Sequence, residues 1–232
     1  MVIKFDKKAF LAIVAALFMS ATVLIIPTIK VGANENKVIV IDAGHGGIDG
    51  GATGVNTKTP ESVLNLDVSM RLKKLFLDNG YTVFLTRETD DGLYGDETDG
   101  FKKRDLKARV EFAKKHCADI FISVHMNKYL KKTRRGAQVF YKAGNEKSET
   151  LAACVQEKLN AMKRAARSCS PLKGDYYLLN MLDCAAIIAE CGFLSSPEDE
   201  KLLLDETYRQ ELADAVFNGV KAYADKNISK RL

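Results

Sequence analysis

From Lys37 onward, short β-branched apolar runs alternate with stretches whose apolar residues recur every three or four positions. Few folds accept that alternation. Strands joined by amphipathic helices build an α/β domain with a largely parallel sheet and helices on both faces. Residues 38–41, 81–85, 119–124, 136–141 and 186–189 read as strands, and 175–179 as a further short one. Thr59 is placed to cap a helix with Pro60 at its first position. Leu64, Val68, Leu72, Leu75 and Phe76 then form one stripe, and Asn79-Gly80 ends it. A second helix carries Leu106, Val110, Ala113 and Cys117 on one face. Helices are also expected over 148–162, 197–204 and 208–223.

Residues 34–232 are expected to form one such domain, and residues 1–33 an export unit. Lys4, Lys7 and Lys8 precede an uncharged run, and residues 9–26 are 18 long, between a long signal core and a short membrane span. Basic residues in front place the remainder of the chain outside the cytoplasm. Val31-Gly32-Ala33 would serve as a cleavage site, so the segment reads as a signal peptide or a signal anchor. Membrane contact is expected through this segment alone. It also explains the charge: residues 1–30 hold four of the 35 basic and one of the 30 acidic side chains, which leaves the domain near +2. That balance argues against a nucleic-acid partner. The dense basic run Lys131-Lys132-Thr133-Arg134-Arg135 reads as a solvated loop. The five cysteines include no C-x-x-C pair, which argues against a thiolate metal site.

In open α/β sheets, sites lie beyond the carboxyl ends of the strands. His45 follows the first strand in a glycine-rich loop, His125 follows the strand around Phe121, and Glu190 follows the strand around Ile187. Glu61 stands in the first turn of the first helix. Two histidines and a carboxylate, with a water, make the open arrangement of a catalytic zinc. A second carboxylate that binds no metal is then needed to move protons. Each has a plainer alternative: a loop imidazole for His45, a buried and satisfied histidine for His125, a sheet-end ion pair for Glu190. For Glu61, taken alone, an acid answering the helix dipole is at least as good an account. Glu190, set between apolar residues and Cys191, is expected to have a raised pKa. His116, in a lysine-rich helix end, reads as structural. The loop at Gly44 lacks the third glycine of a dinucleotide site, and no phosphate loop, His-Glu-x-x-His or nucleophile elbow occurs.

Four segments carry a resemblance. Residues 38–47 (VIVIDAGHGG), Glu61 with Leu64-Asn65-Leu66, residues 118–127 (ADIFISVHMN) and residues 187–195 (IIAECGFLS) are similar, in order, to the motifs of the zinc N-acetylmuramoyl-L-alanine amidases. The resemblance implies zinc on His45, Glu61 and His125, with Glu190 as acid/base. It implies hydrolysis of the amide between N-acetylmuramic acid and the first L-alanine of the peptidoglycan stem peptide. A short chain with an export segment and no visible wall-binding module resembles the spore-cortex, germination-specific branch, in which this cut precedes muramic-δ-lactam formation. Targeting would then depend on an accessory protein or on location in the wall or cortex. Two other readings fit the residues: a zinc hydrolase of another bond, such as a peptidase or deacetylase, and a non-catalytic glycan-binding domain.

Overall fold

Each central strand sends alternate side chains to opposite faces of the sheet, and the apolar residues divide accordingly into two clusters. In the computed structural model, which describes residues 37–131 and 133–229, Ile39, Ile41, Ile120, Ile122 and Ile187 point to one face, and Val40, Phe121, Ala186 and Ile188 to the other. The export segment expected over 1–33 lies outside the described residues, as does Lys132.

The strands are β1 (Val38–Ala43), β2 (Thr82–Leu85), β3 (Ile120–Asn127), β4 (Gln138–Tyr141), β5 (Leu172–Lys173) and β6 (Ala185–Phe193). They form a sheet in the order β2-β1-β3-β6-β4-β5. The first four of that order run parallel; β4 runs antiparallel to β6, and β5 parallel to β4. The helices are α1 (Glu61–Asp78), α2 (Phe101–Lys115), α3 (Glu146–Asn160), α4 (Tyr177–Asn180), α5 (Pro197–Leu203) and α6 (Glu206–Ser229). Residues of α1, α3 and α6 pack on the first face, and residues of α2 and α4 on the second. The expected α/β class with helices on both faces is therefore what forms. The chain leaves β1 for β2 on one side and returns to β3 on the other. The reversal opens a crevice at the carboxyl ends of β1 and β3, where ligands bind in such sheets.

The α3–α6 contact is close because Gly219 has no side chain. A Cβ there would lie 2.5 Å from Val155 Cα, which is backbone and cannot swing aside. Gly219→Ala is expected to lose about 1–3 kcal/mol of stability despite alanine's better helix propensity. A urea melt of the variant measures it.

Several expected boundaries move. Pro60, not Thr59, is the N-cap of α1, and Glu61 is its first residue. Thr59 instead pairs its hydroxyl with that of Thr57. Strands β3 and β6 run past the expected ends, so His125 and Glu190 sit within them as register partners. Just beyond, the register shifts between His125 and Asn127. Residues 175–179 are not a strand: α4 begins at Tyr177, buries both Leu178 and Leu179, and is tied by Asn180 Nδ2 donating to Asp175 Oδ1 at 2.6 Å. A four-residue apolar run carries no period that separates the two structures. Cys117 falls beyond α2, exposed, in a left-handed turn rather than on its buried face. The basic run is not wholly solvated. Arg134 lies over the rings of Tyr129 and Phe193, and Arg135 pairs with Asp199 at 3.1 Å.

Candidate metal centre

The loop after β1 is held by buried charge. Asp42, wholly buried at the end of β1, pairs with Arg109 of α2 at 2.6 Å. It also accepts hydrogen bonds from the hydroxyls of Thr86 (2.8 Å) and Ser123 (2.7 Å). Burial opposes its ionisation, but Arg109 and the Ser123 hydroxyl hold its pKa below the usual carboxylate range. The same guanidinium donates onward to the carbonyls of Ala43 (2.8 Å) and His45 (2.7 Å). Arg87 donates to the carbonyls of Ala43, Gly44 and Ser62 at 2.8, 3.0 and 2.8 Å. Two arginines thus fix the path of the chain through His45, whose φ of 60° is left-handed. Gly44 is required for a different reason: a Cβ there would collide with the ring of His125.

Three side chains meet at this rim. His45 Nε2 lies 3.3 Å from Glu61 Oε1, and His125 Nδ1 lies 2.9 Å from the same oxygen. One nitrogen of each ring and one carboxylate oxygen fall within 4.8 Å of one another. The two rings meet edge to face, with centroids 4.9 Å apart. Glu61 is buried, yet it does not serve its own helix. Its oxygens accept from the amides of Ala52 (2.8 Å) and Met126 (3.1 Å) and from Asn65 Nδ2 (3.2 Å). Burial opposes its ionisation, but the two imidazoles, His125 and then His45, hold its pKa well below the usual carboxylate range. His45 is burdened by burial too, but Glu61 and Asp49 together raise it to about 9.

Asp49 was not singled out by the sequence. Its Oδ2 sits 2.9 Å from His45 Nδ1, turning Nε2 toward Glu61. A carboxylate behind a ligating imidazole in this way fixes ring orientation and tautomer. Lys102 approaches Asp49 from α2 at 3.4 Å. Asn65, which bridges Glu61 and the carbonyl of Gly44, was visible only as part of a motif.

Glu190 stands beside His125 on the neighbouring strand. Among the described residues, its Oε2 is buried without a hydrogen-bond partner. Burial first, and the nearby Glu61 charge, push its pKa to about 7 against the pull of the two histidines. It lines a cleft of about 330 Å³ with His45, Glu61 and His125, and Leu106, Tyr176, Tyr177 and Leu178 line the same cleft. His116 takes no part: it caps α2 and stacks on Phe84, ring centroids 3.9 Å apart. Cys191 is buried and its thiol is pushed up by burial and by Glu190, which leaves it no nucleophilic character near neutral pH.

A mostly parallel sheet, a switch-point cleft, two nitrogens and a carboxylate converging, and a lone buried acid beside them are the parts that a metal-assisted hydrolytic site requires. The comparison with known proteins is narrower. The chain belongs to the N-acetylmuramoyl-L-alanine amidase family (Amidase_3), whose profile matches residues 39–222. It is 33% identical over 193 residues to the germination-specific N-acetylmuramoyl-L-alanine amidase of Bacillus subtilis (strain 168), covering 82% of this chain and 80% of that one. It is 30% identical to the probable cell wall amidase LytH of Staphylococcus saprophyticus, across 82% of this chain and 59% of the relative. Among solved structures it resembles the CwlD amidase of Clostridioides difficile in complex with the GerS lipoprotein. The TM-score there is 0.76 at 37% identity, over 82% of this chain and 99% of that one. The likeness thus includes a germination-specific relative, of the branch to which the short chain with its export segment pointed.

Proposed function

We propose that this chain is a zinc-dependent N-acetylmuramoyl-L-alanine amidase acting on peptidoglycan outside the cytoplasm. The observation that carries the reading is the convergence of His45 Nε2, His125 Nδ1 and a Glu61 oxygen beside the unpartnered Glu190. The donor set suits the group: imidazole nitrogen with one carboxylate is a zinc set, and it leaves a position for water. His45, Glu61 and His125 would hold the ion. Bound there, it supplies Lewis acidity, polarising the scissile carbonyl and acidifying a water. The protein's own part is proton transfer and orientation. Glu190 takes a proton from the attacking water as its oxygen adds to the carbonyl carbon. It then returns that proton to the departing L-alanine nitrogen as the C–N bond breaks. A pKa near 7 suits both steps at neutral pH. Asp49 and the Arg87–Arg109 pair hold His45 in place throughout.

The likeness to the germination-specific amidase of Bacillus subtilis supports cortex peptidoglycan as the substrate, with the cut preceding muramic-δ-lactam formation. The lipoprotein bound to the Clostridioides difficile neighbour supports an accessory partner for this chain as well. Residues 1–33 would deliver it across the membrane as a signal or an anchor. Among the described residues, no helix is long and apolar enough to cross one.

Mass analysis of digested cortex tests the reading. Stem peptides with a free L-alanine amino terminus should appear, disappear with a chelator and return with zinc. Release of disaccharide–peptide units or of acetate instead would assign the site to another bond. Asp49→Asn should keep the fold but weaken zinc binding by about 10- to 100-fold, as loss of a carboxylate behind a ligating imidazole does. Competition with a chromogenic chelator measures that directly.

A further inference from the structure

A second cavity, of about 580 Å³, opens beside the first between residues 53–58 and residues 128–130. The two adjoin at Lys128. Ala52 lines the first and Thr53 the second, while Lys128 lines both. The walls of the second are pinned. Buried Glu200 of α5 accepts from the amides of Asn56 (3.0 Å) and Thr57 (2.8 Å) and from the Thr57 hydroxyl (2.8 Å). On the other side, the amide of Tyr129 donates to Ser195 Oγ at 3.0 Å. This loop therefore holds a fixed shape and places Lys58, in a left-handed conformation, at the cavity. Lys58 Nζ donates to the carbonyl of Val55 at 3.0 Å. Among the described residues, no carboxylate pairs with Lys58 or Lys128.

Taken as two arms around the shared Lys128, the cavities differ in one respect, that Lys58 lines only the second. The arm walled by Leu106, Tyr176, Tyr177 and Leu178 is aromatic and apolar. The other adds Lys58 to the shared Lys128, beside Tyr129 and Leu130. The bond this site is proposed to cut is unlike at its two ends in the same sense. An uncharged acetylated sugar lies on one side, and a peptide bearing free carboxylates on the other. We propose that the substrate binds in one direction, with the stem-peptide carboxylates held by Lys58 and Lys128 and the sugar on the aromatic arm. The inference rests on the amidase reading for the identity of the ligand.

The test separates the two. N-acetylmuramyl-L-alanyl-D-glutamate and its uncharged diamide are titrated into the full chain carrying Glu190→Gln. The dicarboxylate should bind about three- to tenfold more tightly, as expected for two solvent-facing charge pairs, and the preference should shrink with salt. Lys58→Gln with Lys128→Gln should erase the preference, and arginine at both positions should restore it. Equal binding of the two ligands, or a preference indifferent to the lysines, overturns the proposal. Turnover of the dicarboxylate by the chain with Glu190 intact is followed in parallel. Turnover without charge preference sinks the subsite alone. Charge preference without turnover leaves the subsite standing and sinks the amidase reading.

Discussion

Glu190→Gln is expected to lower turnover on the order of 10³-fold while leaving metal binding intact and making the apoprotein more stable at alkaline pH. Glutamine keeps the size of the side chain but can neither take a proton from water nor return one. The stability gain follows from the raised pKa, about 7 in the folded chain against 4.5 for an ordinary glutamate. Below pH 4.5 both folded and unfolded chains carry the proton, and the group contributes nothing. Between pH 4.5 and 7 the unfolded chain ionises first, so stability falls as pH rises. Above pH 7 the full penalty is present, and the variant escapes it by about 1–3 kcal/mol. Denaturant melts of chelator-treated protein at pH 4.5 and 8.5 measure the difference. A variant that is inactive and less stable at both pH values would mark Glu190 as a structural residue.

The second large effect lies away from the cleft. Arg109→Met should cost about 3–5 kcal/mol, because it leaves Asp42 buried and ionised without its cation. That is a large share of the roughly 5–15 kcal/mol by which a domain is stable. Asp42 has no exposure with which to recover hydration. Asp105, which accepts from Arg109 Nε at 2.6 Å, also loses its partner. Asp42→Asn added to Arg109→Met should recover part of the loss, since the neutral amide needs no counter-charge. Urea midpoints of the two variants decide it. Equal midpoints would mean that the ion pair is not what makes Arg109 necessary. The single variant should also bind zinc more weakly, because Arg109 donates to the carbonyl of His45.

Much of this was legible in the chain because β-branched runs mark where parallel strands end. His45, His125 and Glu190 follow or lie within such runs, and the structure brings all three, with Glu61, to one rim. Glu61 was legible only in company. By itself it is an acid at a helix start, and its bonds to Ala52 and Met126 depend on segments folded over it. Asp49, Arg87 and Arg109 were not legible. The reach of Asp49 to His45 depends on a glycine-rich loop whose path is set by tertiary contacts. Arg109 looked like another cation in a helix rich in them, although it shares a face with Asp105 and Ala113, all three buried. A charged residue on the apolar stripe of a helix was the one signal available. The run at residues 175–179 failed for a different reason: two adjacent buried leucines fit a turn of helix as well as a strand.

Anomalous diffraction at the zinc edge, on crystals of the chain grown with zinc, tests the metal site most directly. A single strong peak bonded to His45 Nε2, His125 Nδ1 and a Glu61 oxygen, with Glu190 unligated beside it, is the expected result. A peak held by other atoms, or Glu190 within the coordination sphere in place of Glu61, would contradict the account.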